Sequence, residues 1–157
     1  VIRQPVVANG DVLLYTGRWF RPRSWRRGEL VVTAMEPRNS GAVMIAGGYN
    51  VDRIIGLPGD TVHMDSGVLI VNGKPAPPDE QPIAGTANLP AMEITLGDGD
   101  FLVYPSSFQW TGHGNWRQVL ANVAPPLGVI DDDSLLGRVI VRVRPWSRAG
   151  LPGSEHP

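Results

Sequence analysis

Tyr49-Asn50-Val51-Asp52-Arg53-Ile54-Ile55-Gly56-Leu57-Pro58-Gly59-Asp60 is the stretch on which the fold of this chain turns. Val51, Ile54 and Ile55 are β-branched and favour an extended backbone. Pro58-Gly59 then places a fixed φ before a residue free to take positive φ, which is the chemistry of a tight turn. Asp60 closes the turn, and Thr61-Val62 opens a second extended run. The plain reading is strand, turn, strand. In that reading Asp52 and Arg53 are a surface pair, which contributes little to stability.

The same punctuation runs along the whole chain. Nineteen Gly and 15 Pro in 157 residues divide it too finely for a helical protein, in the manner of all-β folds. Extended runs are expected at Asp11–Thr16, Glu29–Met35, Ala42–Ala46, Val51–Gly56, Thr61–Met64, Val68–Val71, Ala91–Thr95, Asp100–Tyr104 and Leu136–Arg144. In the last run Val139, Val141 and Val143 fall on one face and Arg138, Arg142 and Arg144 on the other. Period two predicts a half-buried strand. Asn72-Gly73, after Leu69-Ile70-Val71, predicts a hairpin turn. Only Asn115–Val123 has a helix-like pattern. Pro75–Pro90 and Pro105–Asn115 read as loops, and Ser147–Pro157 as a flexible tail.

Hydrophobic residues make up 42% and charged residues 18%, enough apolar material for a packed core. Fourteen basic against 15 acidic residues leave a net charge of −1, so no bulk attraction to nucleic acid is expected. The absence of cysteine excludes disulfides, thiolate metal sites and a cysteine nucleophile. His63, His113 and His156 are the only histidines. No metal and no cofactor are expected from them, and His113 reads as a loop residue. Asp131-Asp132-Asp133 lacks the alternating spacing of a calcium loop and reads as a solvated turn. No apolar run approaches the roughly 20 residues of a membrane span. The chain begins at Val1 rather than Met, which suggests a fragment with an upstream part not included.

From Arg53 to Asp60 the opening stretch resembles the lysine-bearing motif of type I signal peptidases, Lys-Arg-Val-Ile-Gly-Leu-Pro-Gly-Asp. Those are membrane-bound serine peptidases that remove signal peptides. Further segments follow in the family's order. Pro5-Val6-Val7-Ala8-Asn9-Gly10-Asp11 resembles Pro-Thr-Leu-x-x-Gly-Asp, and Arg27-Gly28-Glu29-Leu30-Val31-Val32 resembles Arg-Gly-Asp-Ile-Val-Val. Gly67 to Lys74 resembles the Gly-x-Leu-Tyr-Val-Asn-Gly-Lys hairpin. Gly99-Asp100-Phe101-Leu102-Val103 resembles Gly-x-Tyr-Phe-Val, and Leu136-Gly137-Arg138-Val139 resembles the closing Ile-x-Gly-Lys-Ala strand. The resemblance covers about residues 5 to 145. It implies a mainly β fold of antiparallel sheets with little helix. It also implies one signal-peptidase-like domain over 1–146, with a variable insertion at about 75–130.

The departures fall on the catalytic residues. The family's nucleophilic serine lies three residues before the proline of its first motif, a position held here by Ile2. Its general-base lysine precedes the Arg of the central motif, a position held here by Asp52. A serine–lysine dyad needs a hydroxyl that attacks a carbonyl and an amine desolvated enough to be neutral. Ile2 has no nucleophilic atom. Lys74 is the sole lysine, and it belongs to the Asn-Gly hairpin. Ser24, Ser106 and Ser107 would each need a new base and a new oxyanion hole. A carboxylate pair, Asp11 with Asp52, is the other arrangement capable of catalysis. The resemblance instead makes Asp11 a turn residue. The family's Gly-Asp-Asn segment is also missing, since Pro105-Ser106-Ser107 follows Tyr104.

Two segments rich in aromatics remain. Gly17 to Arg27 carries five Arg with Trp19, Phe20 and Trp25. These three aromatics are the candidate binding residues, for a membrane surface or a protein partner. A solvated hairpin with Arg–Trp stacking is the alternative. Phe108 to Trp116 is the second cluster, with Trp110 and Trp116 able to fill the old substrate groove. The residues therefore point to a signal-peptidase-like domain that has lost its dyad. It would act as a scaffold, a peptide binder or an accessory module at a membrane. The competing reading is an active serine peptidase with a rewired or unseen nucleophile. The resemblance further implies anchoring through an upstream segment, with the domain on the extracytoplasmic side.

Overall fold

The computed structural model describes residues 10–20, 22–39, 43–65, 67–83, 91–103, 108–110 and 128–144. The elements are β1 (Val12–Tyr15), β2 (Leu30–Met35), β3 (Arg38–Asn39), β4 (Val43–Ile45), β5 (Gly48–Gly56), β6 (Thr61–Asp65) and β7 (Val68–Val71). They continue with β8 (Lys74–Pro75), β9 (Met92–Thr95), β10 (Asp100–Val103), β11 (Phe108–Trp110), β12 (Val129–Asp131) and β13 (Leu135–Arg144). Short 3-10 turns lie at Arg18–Phe20, Pro78–Glu80 and Asp132–Ser134. The expected antiparallel, mainly β architecture is present.

Six strands form the main sheet, in the order β1-β13-β2-β5-β10-β12. The Leu-Val-Val-Thr-Ala-Met run of β2 has no polar alternation, and nearly every residue in it is buried. Such a run suits a strand with neighbours on both edges and cover on both faces. Leu30 pairs with Arg53, Val31 with Asp52 and Thr33 with Asn50 across to β5. On one face Leu30, Val32 and Val139 form a small core, with Leu13, Val51, Ile83 and Leu136 against it.

A four-stranded sheet, β8-β7-β6-β9, supplies the other half of the larger core. Here period two holds. Val62 and Met64 on β6 and Leu69 and Val71 on β7 point inward. They meet Ile55 and Leu102 of the main sheet, together with Met92 and Leu96. Gly56 sits at this junction because a Cβ there would lie 2.7 Å from Leu96 Cδ1 and 2.9 Å from Val62 Cγ2. A third sheet, β11-β4-β3, is joined to the main one by Arg38, whose Nη1 donates to the Val129 carbonyl at 2.8 Å.

Two expectations need correcting. The Pro105–Asn115 stretch contains strand β11, which pairs with β4 from Phe108↔Ile45 to Trp110↔Val43. The period-two reading of the final strand fails at Arg142, which is buried rather than on a solvent face. The β1–β13 pairing has irregular register between Val12 and Leu13 and again between Leu14 and Tyr15. Each such bulge changes which side a residue faces. The helix-like Asn115–Val123 pattern and the tail from Ser147 lie outside the described residues.

Candidate functional site

The turn that follows β5 is built from its own sequence. Asp60 N–H donates to the Leu57 carbonyl at 3.0 Å, and Gly59 takes φ 82°. With Pro58 before it, this is a type II turn. Asn72 (φ 52°) and Gly73 (φ 76°) both have positive φ, the requirement of a type I′ hairpin turn. The two turns are tied to one another. Asp60 Oδ1 accepts from Asn72 Nδ2 at 2.7 Å, and Asn72 Oδ1 accepts from the Thr61 N–H at 2.9 Å.

Arg27 completes this cluster. Its Nη1 donates to Asp60 Oδ2 at 2.9 Å and its Nε to Glu80 Oε2 at 3.2 Å. Asp60 Oδ2 also accepts from the Leu57 N–H at 2.8 Å. Burial pushes the Asp60 carboxyl up, but the donors Leu57 N–H, Asn72 and Arg27 together outweigh it and hold the group below its ordinary range. The hydrogen bond to Asp60 raises Arg27 in turn, against a smaller opposing effect of burial. The Arg-Gly, Pro-Gly-Asp and Asn-Gly segments thus converge on one polar knot. Its role is to position strands.

Asp52, which the resemblance places at the general-base position, has surroundings unlike those of a surface pair. The residue is 0% exposed. Thr33 Oγ1 donates to Asp52 Oδ2 at 3.5 Å, from the neighbouring strand β2. Arg53, next in sequence, pairs with Leu30 while Asp52 pairs with Val31, so the two side chains leave opposite faces of the sheet. Arg53 is buried as well and donates to the Asp79 carbonyl. Burial lowers its pKa, with the Asp79 charge acting the other way. The expected Asp52–Arg53 surface pair is therefore replaced by two buried polar side chains on two faces.

Asp11 is likewise more than a turn residue. Its Oδ2 lies 3.1 Å from Arg142 Nε, with side-chain exposures of 2% and 0%. This buried ion pair fastens the start of β1 to β13. Sequence reasoning missed it; the available signal was a lone Arg flanked by valines in Ile140-Val141-Arg142-Val143. Lys74 lies exposed on β8, at an edge of the four-stranded sheet, and Asp52 belongs to the main sheet. Ile2, Ser106, Ser107, His113 and Trp116 lie outside the described residues. The Trp110 backbone is part of β11. Among the described residues no group of His, Cys, Asp and Glu could hold a metal ion.

The three candidate binding aromatics separate. Trp19 is 95% exposed and Phe20 79%. They occupy a 3-10 turn just after the edge strand β1, whose Val12, Leu14 and Tyr15 are also exposed. Trp25 is half-buried, and its Nε1 donates to Asp132 Oδ1 at 2.8 Å. The acidic triple holds the turn before β13. Asp131 Oδ1 accepts from Ser134 Oγ and N–H at 2.7 and 2.9 Å, and those donors lower the Asp131 pKa. At the other end of the β2–β5 pair, a cleft of about 390 Å³ is lined by Met35, Glu36, Pro37, Gly48 and Tyr49. Among the described residues no helix is long and apolar enough to cross a membrane.

The described chain is thus an antiparallel-sheet domain whose turns are knotted by Arg27, Asp60 and Asn72. The family model "Signal peptidase, peptidase S26" matches residues 3–94, and the chain belongs to that family. "Probable signal peptidase I-2" from Synechocystis sp. is 30% identical over 152 residues, covering 94% of this chain and 62% of that protein. "Signal peptidase I" from Leptolyngbya laminosa is 32% identical over 111 residues, covering 66% of this chain and 45% of that protein. The chain thus spans about half to three-fifths of the length of these curated relatives. No solved structure gives a match.

Proposed function

We infer that this domain has given up the serine–lysine hydrolysis of its family and serves as a non-catalytic module at a membrane surface. It would act there as a scaffold, an accessory subunit or a binder of extended peptides. The observation that carries this reading is Asp52. A fully buried carboxylate stands where the dyad needs a neutral amine, and Thr33 holds it. A carboxylate can accept a proton, but Ile2 at the nucleophile position offers none. The sole lysine, Lys74, belongs to a different sheet. The membrane setting is supported by the family and by the exposed Trp19 and Phe20. Anchoring through an upstream segment, with the domain on the extracytoplasmic side, belongs to the same reading.

The test is cleavage of a preprotein carrying a signal peptide, in detergent, by the full natural protein. Asp52→Ala and the Ile2→Ser/Asp52→Lys double variant run alongside. The expected result is no cleavage by the natural protein. Cleavage that survives Asp52→Ala would favour the active-peptidase reading, with a nucleophile elsewhere in the protein. Cleavage gained by the double variant would show that only the dyad had been lost.

A further inference from the structure

We propose that the cleft at the end of the β2–β5 pair takes a lysine or arginine side chain of an extended partner peptide, with the Tyr49 ring over the cation and the Glu36 carboxylate against it. This rests on the peptide-binding form of the reading above and names the side chain that is selected.

The cleft is separate from the Asp52 position. Tyr49 pairs with Ala34 and Val51 with Val32. Alternation therefore puts Tyr49 on the face of the small core around Leu30 and Val32, and Asp52 on the opposite face. Ala34 is too small to cover the ring across from it, and Tyr49 is left 81% exposed. Glu36, two residues beyond Ala34, continues the same face as a diagonal neighbour of Tyr49, a spacing that long side chains bridge. Pro37 forms a fixed wall. It lies so close to Gly47 that a Cβ there would be 2.6 Å from the Pro37 Cδ. The space is about 390 Å³, within the range of about 300–1,000 Å³ for ligand-binding clefts.

Charge selects the occupant. Glu36 is exposed, and its carboxylate has no cationic partner among the described residues. The arginines closest to it along the two strands are turned elsewhere. Arg38 Nη1 donates to the Val129 carbonyl at 2.8 Å, and its charge acts on Asp131, whose pKa it helps to lower. Arg53 shares the face of Tyr49 but stands four residues along β5, about 13 Å away, and donates to the Asp79 carbonyl. A carboxylate beside an open aromatic face attracts a cation by charge and by the ring quadrupole. Lysine and arginine can also lay their methylene stems along Tyr49 and Pro37. An acidic side chain is repelled there, and a neutral one leaves Glu36 without a counter-charge.

The test is a nuclear magnetic resonance titration of the isotope-labelled chain with blocked alanine pentapeptides whose central residue is lysine, arginine, glutamine or glutamate. The readout is the Gly48 amide shift. The lysine and arginine peptides should move it, at millimolar concentration, and the glutamine and glutamate peptides should not. Glu36→Gln should weaken the lysine peptide about 5-fold and remove its salt dependence. Tyr49→Leu should weaken it about 3- to 5-fold, while Tyr49→Phe, which keeps the ring, should bind as the natural chain does. Equal shifts from the lysine and glutamine peptides overturn the cation selection and leave the peptide-binding reading standing. Shifts confined to the Asp52 face do the same. No shift anywhere from any peptide overturns both. Shifts at Gly48 that grow with protein concentration, without peptide, would place a second copy of the chain in the cleft and overturn the proposal.

Discussion

The residues that distinguish this chain are its buried charges. A carboxylate and a guanidinium away from water are tolerable only when paired. Asp11→Asn should therefore destabilise the protein by about 3–5 kcal/mol, because it leaves Arg142 charged in the interior. An Asp11→Leu/Arg142→Met double variant should recover most of that loss in urea titrations. Asp60 makes a prediction in pH. Its folded pKa is lowered, so its contribution is fully present above the unfolded value, near about pH 4, and is lost as pH falls through the folded value. Asp60→Asn should cost about 2–3 kcal/mol at neutral pH. The gap between variant and natural protein should then narrow in acid below about pH 4. Sequence alone exposed one of these sites and hid the other. Asp60 ends a Pro-Gly-Asp turn whose chemistry is local and legible. Arg142 lies in a strand where alternation assigns it to water, and its burial against Asp11 comes with an irregular pairing to β1 that the sequence does not display.

At the scale of elements, strands that carry their own apolar pattern were readable, such as β6 and β7 with their inward Val62, Met64, Leu69 and Val71. The strands β3 and β8 span two residues each. Segments so short have no period to read, and their partners across the sheet define them. β11 was hidden by the Gly and Pro around it. The hairpin between β7 and β8 offers the cleanest test, since Asn72 supplies both a positive φ and two side-chain hydrogen bonds. Asn72→Gly keeps the backbone freedom and loses the bonds to Asp60 and Thr61. Asn72→Ala loses both. The alanine variant should be less stable by about 1 kcal/mol more than the glycine variant. Equal losses in thermal melts would mean that the turn itself carries no strain.

Over the whole molecule, the first and last of the described strands lie side by side. β13, from the C-terminal part, sits between β1 and β2. The main sheet cannot form until residues far apart in sequence meet, so folding should be slow and cooperative. The larger core binds the sheets into one unit, because Ile55 and Leu102 come from the main sheet and Val62, Leu69 and Met92 from the four-stranded one. If the two sheets share a fate, damage to one is felt by the other. Leu69 lies on β7, fully buried, with no backbone link to the main sheet. Leu69→Ala should cost about 2–5 kcal/mol. In a background that keeps Trp25, beside Asp132 on the main-sheet side, as the one tryptophan of five, its fluorescence should shift its urea midpoint together with far-ultraviolet circular dichroism. Coincident curves with an unchanged slope would mark one cooperative domain. Separated transitions, with fluorescence unmoved, would make the four-stranded sheet an independent lobe and the shared core a contact between two domains.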